Sequence, residues 1–302
     1  MSSDDTSIAI IASSMLFVYI VVVIAFAWYY FSKKRTKNNK SDTGLSPSDT
    51  GGLLPLPNVS SKDSSPWNIS WVNNPERFST KNNELELKFV KNEHGSGSGA
   101  AFRANPWKKF PTDQVTFAYD VYFPPSFQWV KGGKLPGVCF GPSGASGSNA
   151  CATGGEWGDN EGSFRIMFRE NGTAIGYAYL AIKGGSSAAY AKQNASYKSI
   201  VKKTGGAGHD LWKVQKVFTF KRGQWNAVSF SIKLNDPAKS NGTLRLTING
   251  VTRELQDVIW RENASVKFSN IIFVSFFGGG SNDWNSPVNT SIKFRNIKFS
   301  AQ

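Results

Sequence analysis

The sequence predicts an all-β fold, a jelly-roll β-sandwich preceded by an N-terminal single transmembrane helix and a flexible stalk. Three observations predict it. Ile8 to Phe31 is an uncharged apolar run of 24 residues. Residues 32 to 66 are Ser, Lys, Asn, Gly and Pro with few large apolar side chains. From Trp67 onward, short alternating apolar segments are separated by Gly, Asn and Asp clusters, with no long 3.6-period stretch between them. The predicted organisation is a polar tail over 1–7, a membrane helix over 8–31, a stalk over 32–66 and a globular domain over 67–302.

As a helix, 8–31 would span ~36 Å at 1.5 Å per residue, enough to cross a bilayer with some tilt. Trp28, Tyr29 and Tyr30 close it with rings that favour the membrane interface. Ala25-Phe26-Ala27 resembles a signal-peptidase site, but the acidic start (Asp4, Asp5) and the length of the run favour an anchor. Lys33, Lys34, Arg35, Lys37 and Lys40 follow it, which by the positive-inside rule puts the large domain on the cytoplasmic side. N-x-S/T sequons at Asn58, Asn68, Asn171, Asn194, Asn241, Asn263 and Asn289 argue for the lumen. We weight the charge rule above them, because a chain rich in Asn and Ser generates sequons by chance. The stalk composition cannot bury a core.

In the globular part, Val115, Phe117, Tyr119, Val121 and Phe123 alternate as one face of a strand. Further strands are expected around 163–169, 174–181, 213–220, 225–234, 243–249, 268–277 and 291–299. The whole chain carries 35 basic and 21 acidic residues. Six of the former and five of the latter precede Trp67, which leaves +13 on the remainder. Such a field concentrates polyanions of any kind. No basic helix and no RNA-binding aromatic motif accompanies it, so nucleic acid is not the expected partner. Cys139 and Cys151 are equally compatible with a disulfide and with two free thiols. His94 and His209 stand far apart, and no metal-ligand spacing or Ser-His-Asp pattern is present. Neither a metal nor a cofactor is expected.

One hairpin carries the chemistry. In Ser163–Tyr179, Phe164, Ile166 and Phe168 alternate with Ser163, Arg165 and Met167, and Asn171-Gly172 marks the turn. A two-residue loop would set Arg165 opposite Ala178. A three-residue loop, Glu170-Asn171-Gly172 with Gly172 left-handed, would set it opposite Tyr177. Packing favours the second, because it places Phe164, Ile166 and Phe168 against Ala178, Gly176 and Ala174, large opposite small. The same register gathers Ser163, Arg165, Tyr177 and Tyr179 on the other face, close enough for one sugar ring to touch all four. Read blandly, these four make an ordinary exposed sheet surface. Two segments argue for more: Lys131-Gly-Gly-Lys134-Leu-Pro-Gly137, a glycine-rich turn stiffened by Pro136 that presents Lys134, and Phe276-Phe-Gly-Gly-Gly-Ser-Asn-Asp-Trp284. Trp284 is equally suited to stacking on a sugar and to capping the core.

These residues resemble polysaccharide lyase family 14, which includes glucuronan- and alginate-degrading lyases of algal viruses and molluscs. The likeness covers about 85–302, through FAYDVYFPPSFQWVKGGKLPG at 117–137, the Ser163-x-Arg165 and Tyr177-x-Tyr179 pairs, GQWNAVSFSIKLN at 223–235 and the closing FFGGGSNDW. The resemblance implies a β-jelly roll and a lyase acting on polyuronates, with Lys134, Ser163, Arg165, Tyr177 and Tyr179 as the site. It also suggests a virion or host cell-wall role. The Gly141–Gly162 loop is where exo and endo action would diverge.

The implied reaction removes the C5 proton of a uronate and expels the 4-linked oxygen. The neighbouring carboxylate suppresses that proton's acidity, so its neutralisation is the largest requirement. Arg165 would grip the carboxylate as a fork, Lys134 would add a point charge and Ser163 a hydrogen bond. Tyr177 or Tyr179, its pKa lowered by these cations, would take the proton and return it to the leaving oxygen, with activity rising toward alkaline pH. A non-catalytic acidic-glycan-binding module of the same fold is the alternative. A hydrolase would need a carboxylate pair, for which Glu156, Asp159 and Glu161 are the nearest residues.

Overall fold

The computed structural model describes residues 52–60, 66–142, 151–155, 158–203 and 208–302. The expected membrane helix lies outside them. Among the described residues, no helix is long and apolar enough to cross a membrane.

Two antiparallel sheets form a sandwich. The first runs β15 (Val251–Val258), β14 (Gly242–Ile248), β13 (Trp225–Lys233), β6 (Gln114–Tyr122), β17 (Thr290–Ala301), β4 (Glu84–Phe89) and β3 (Phe78–Lys81), with β1 (Gly52–Leu53) also on β17. The second runs β10 (Val201–Lys203), β11 (His209–Leu211), β9 (Thr173–Tyr179), β8 (Gly162–Arg169), β7 (Gly132–Pro142), β16 (Val266–Phe277), β5 (Ala100–Ala104) and β2 (Ile69–Asn73), with β12 (Phe218–Thr219) on β9. Two short helices, Gly185–Lys192 and Ala195–Ile200, join β9 to β10.

The alternation read from sequence is what closes the sandwich. Val115, Phe117, Tyr119, Val121 and Phe123 are all buried. Phe230 of β13 meets Phe164 of β8 at 5.0 Å, and Phe294 of β17 meets Phe273 of β16 at 4.8 Å, so rings from both sheets interlock between them. In the first sheet, β14 alternates buried and half-buried along its length, with one face on the core. β8 is buried at every residue. Its second face is therefore covered too, and that covered face holds the site.

Three expectations are corrected. The stalk ends earlier than residue 66: Gly52 and Leu53 pair with Phe299 and Lys298, Leu54 and Val59 are buried, and Trp67 Nε1 donates to the Pro55 carbonyl. A few apolar residues suffice to dock a segment on an open strand, and average composition hides them. The Lys131–Gly137 segment is not a turn but the start of β7, in the middle of the second sheet. The strand expected over 213–220 contracts to Phe218–Thr219.

If residues 52–60 belong to the sandwich, Leu54→Ala is expected to cost about 2 kcal/mol or more in unfolding free energy. Chemical denaturation checks this, and an unchanged midpoint would return the segment to the stalk.

Candidate active site

The hairpin register is the three-residue one. Ser163 pairs with Tyr179, Arg165 with Tyr177, Ile166 with Gly176 and Phe168 with Ala174. Gly172 is left-handed as expected (φ 77°), and Asn171 is left-handed with it (φ 58°). Ser163, Arg165, Met167 and Arg169 thus share one face of β8, opposite the core.

Lys134 reaches the same face through an irregularity in β7. Lys134 pairs with Met167 and Gly137 with Arg165, so three steps on β7 match two on β8. This is a bulge, and it returns Lys134 and Gly137 to the same side. The Lys134 carbonyl accepts from Ser275 Oγ (2.8 Å) and the Pro136 carbonyl from Tyr119 Oη (3.2 Å), which fixes the distortion. Gly137 is required here: a Cβ would lie 2.0 Å from the Phe164 carbonyl oxygen and 2.9 Å from Arg165 Cγ.

The assembled side chains line a cavity of about 710 Å³. Lys134 Nζ stands 5.3 Å from the Tyr177 ring centre and 5.0 Å from that of Phe276. The Arg165 guanidinium lies 5.8 Å from the Tyr177 ring and 5.4 Å from that of Tyr179. The two phenolic oxygens are 3.1 Å apart, and Tyr179 Oη also accepts the Gly155 N–H (3.1 Å). Arg165 is only 1 % exposed and forms the cavity floor. Its Nε is buried and has no hydrogen-bond partner among the described residues.

Ser163 departs from its expected role. It is fully buried, it does not line the cavity, and its hydroxyl donates to the Ala152 carbonyl (2.8 Å), which Arg165 also approaches at 3.4 Å. Ser163 therefore holds the 151–155 loop down over the hairpin. The same loop is tethered by a disulfide from Cys151 to Cys139, the residue paired with Ser163.

Electrostatics revises the tyrosine assignment. Burial raises the pKa of Tyr177, and the neighbouring Tyr179 raises it further; Arg165 only partly opposes this. The cations do not make Tyr177 a phenolate. Lys134 moves the other way: burial, then Arg165 and Arg169, hold its pKa well below that of a free lysine, against a smaller pull from Asp210.

Sequence reasoning missed several participants. Arg169 donates to Asp210 (2.6 Å), which is fully buried and also pairs with Lys213 (3.1 Å). Arg169 was within reach of the sequence, since it continues the alternation from Ser163 and Arg165. Asp210, paired with Tyr177 across the β9–β11 ladder, had no local signal. Gly208 lies against the Tyr177 hydroxyl, where a Cβ would come within 2.1 Å. Trp71 and Arg103, stacked at 5.2 Å, line the far end of the cavity.

The hydrolase candidates are elsewhere. Glu156 lies outside the described residues, and Asp159 and Glu161 do not line the cavity. His94 contacts Asn285 (2.7 Å) and His209 contacts Tyr197 (2.8 Å), both away from it. Among the described residues, no three of His, Cys, Asp and Glu gather as metal ligands.

A family model described as Polysaccharide lyase 14 matches residues 78–297, and the chain belongs to that family. A protein named Exolysin, from Paramecium bursaria Chlorella virus 1, is 27 % identical over 204 residues. The match takes in 63 % of this chain and 30 % of that protein, so the chain spans less than a third of its relative. An alginate lyase from a Chlorella virus superposes with a TM-score of 0.63 at 24 % identity, covering 80 % of this chain and 95 % of that one. The alginate lyase of Aplysia kurodai gives 0.69 at 22 %, over 84 % and 98 %. The alginate lyase Aly36B, in complex with alginate tetrasaccharide, gives 0.59 at 21 %, over 79 % and 86 %. At these identities the structural likeness is one of fold.

The raised pKa of Tyr177 has a direct readout. Its ring-carbon NMR resonance is expected to show no titration up to the pH of ~10 at which a free phenol ionises. A midpoint below that would contradict the burial described above.

Proposed function

We propose that the protein is a lyase that cleaves 4-linked polyuronates, glucuronan or alginate, by β-elimination in this cavity. The observation that carries the proposal is Lys134 and Tyr177 in contact beside Arg165, with their proton affinities pushed in opposite directions. Such divergence is how a site separates a base from an acid. Family membership supports the reaction class, and the alginate specificity of the structural relatives supports the substrate class.

Arg165 neutralises the uronate carboxylate with its guanidinium charge at the cavity floor. Lys134, its proton affinity lowered by burial and the neighbouring guanidinium groups, takes the C5 proton in its unprotonated form. That electron pair forms the C4–C5 double bond as the C4–O4 bond breaks, and the Tyr177 hydroxyl protonates O4. The products are an unsaturated uronate and a new reducing end. In glucuronate and mannuronate, the C5 hydrogen and O4 lie on one side of the ring, which suits a base and an acid on one wall of the cavity. Tyr179 orients Tyr177, and Ser163 acts by holding the loop. A carboxylate bound to Lys134 itself would restore the lysine's charge, so the scheme requires that Arg165 hold it.

No carboxylate lines the cavity among the described residues, so the geometry gives no support to two-carboxylate hydrolysis. We further propose that the sandwich is a jelly roll tethered to a bilayer by residues 8–31, with a stalk that ends before residue 52. The Cys139–Cys151 disulfide favours an oxidising side of that membrane, against the charge rule.

Wild-type protein is expected to generate absorbance near ~235 nm, that of a conjugated unsaturated uronate, from glucuronan or polymannuronate in a cation-assisted elimination. Binding without that absorbance would leave a glycan-binding module. Lys134→Arg installs a permanent charge and loses the base, so kcat should fall about 10²-fold or more; retention of activity would reduce Lys134 to a counter-charge. Tyr177→Phe should fall comparably. For the wild type, the rate should climb as pH rises through the lowered Lys134 pKa, because the base works unprotonated, and hold until Tyr177 ionises above pH ~10. A rate that falls over that climb would contradict the assignment.

A further inference from the structure

A second cavity, of about 700 Å³, lies on the same face of the hairpin, toward its turn. Thr173 lines it, and Tyr177 lines the first cavity. Four residues at ~3.4 Å each separate them along β9, a distance of about 14 Å. Arg169 forms the partition. Its guanidinium is 6.0 Å from the Tyr177 ring on one side and 6.0 Å from the Trp284 ring on the other. Arg169 is 92 % buried, and its Nε has no hydrogen-bond partner among the described residues.

The rest of the wall is built for a polyanion with apolar faces. Lys202, Lys213 and Lys216 line it with a single carboxylate, Glu170, and Lys202 and Lys216 are exposed with no ion pair among the described residues. Trp284 is half-buried and does not enter the core, which settles its role away from capping. The loop that bears it is tied down by an ion pair from Asp283 to Lys131. An indole face beside spaced cations matches a uronate, whose ring offers C–H bonds on its faces and a carboxylate at its edge. A compact anion would use the cations and leave the indole idle.

We propose that this cavity is a distal subsite that binds further uronate units of the chain being cleaved. The proposal rests on the lyase reading above and extends it. The polymer runs from Trp71 and Arg103 past Lys134 and Tyr177, then over Arg169 to Trp284 and the lysines. Binding energy gathered there is made equally in ground and transition states, so it lowers KM for long substrates and leaves kcat alone.

The test uses the full chain and two variants, the double substitution Lys202→Gln/Lys216→Gln and, separately, Trp284→Ala. None of these residues lines the first cavity. KM for polymeric glucuronan or polymannuronate should rise about tenfold in each, equivalent to ~1.4 kcal/mol, with kcat within about twofold. KM for a uronate trisaccharide should stay at the wild-type value. Polymer KM unchanged in both variants would overturn the proposal. So would an equal rise on the trisaccharide, which would report a general loss of field. Equilibrium binding of the polymer, measured alongside, separates this idea from the lyase reading. If wild type forms no unsaturated product but the variants lose polymer affinity, the subsite stands and the reaction does not.

Discussion

Three cations, Lys134, Arg165 and Arg169, are held nearly out of water on one sheet face, with Asp210 as the buried carboxylate among them. Burial penalises each charge, and one carboxylate cannot offset all three. The imbalance has two outlets. Burial and the two guanidinium groups lower the proton affinity of Lys134, and the Nε of each arginine is left without a partner among the described residues. On the mechanism proposed above, the first effect serves the base and the second the carboxylate site, so both needs of β-elimination would stem from one electrostatic deficit.

That deficit is maintained by packing. The face exists because large residues on β8 meet small ones on β9, Phe164, Ile166 and Phe168 against Ala178, Gly176 and Ala174. A slip of one residue would put Arg165 and Tyr177 on opposite faces. The bulge at Leu135-Pro136 then brings Lys134 to the face, and the disulfide-tethered 151–155 loop covers it. Each device is local, and each excludes water from the same few side chains.

Much of this was legible in the sequence, for a physical reason: a two-stranded hairpin is a local structure whose turn and side-chain sizes sit within seventeen residues of each other. Arg165 opposite Tyr177 followed from those sizes alone. Lys134 was marked by its glycine-rich segment and given a role by a family resemblance, but its true setting, a central strand with a bulge, contradicts the turn that glycine and proline suggest. Glycine there serves close strand approach instead. Asp210 and Gly208 could not be foreseen, because they meet Tyr177 through ladder pairing that no nearby pattern fixes. At Tyr177 the lowered pKa that its neighbouring cations suggest is not found, because the degree of burial, which outweighs those cations, is a property of the folded chain.

The central claim concerns which group holds the carboxylate and which faces C5. A crystal structure of the Tyr177→Phe variant with a uronate tetrasaccharide tests it most directly. The account predicts the carboxylate within hydrogen-bonding distance of Arg165, C5 facing Lys134 Nζ and O4 facing the ring at position 177. A carboxylate seated on Lys134, with C5 turned toward Tyr179, would contradict it.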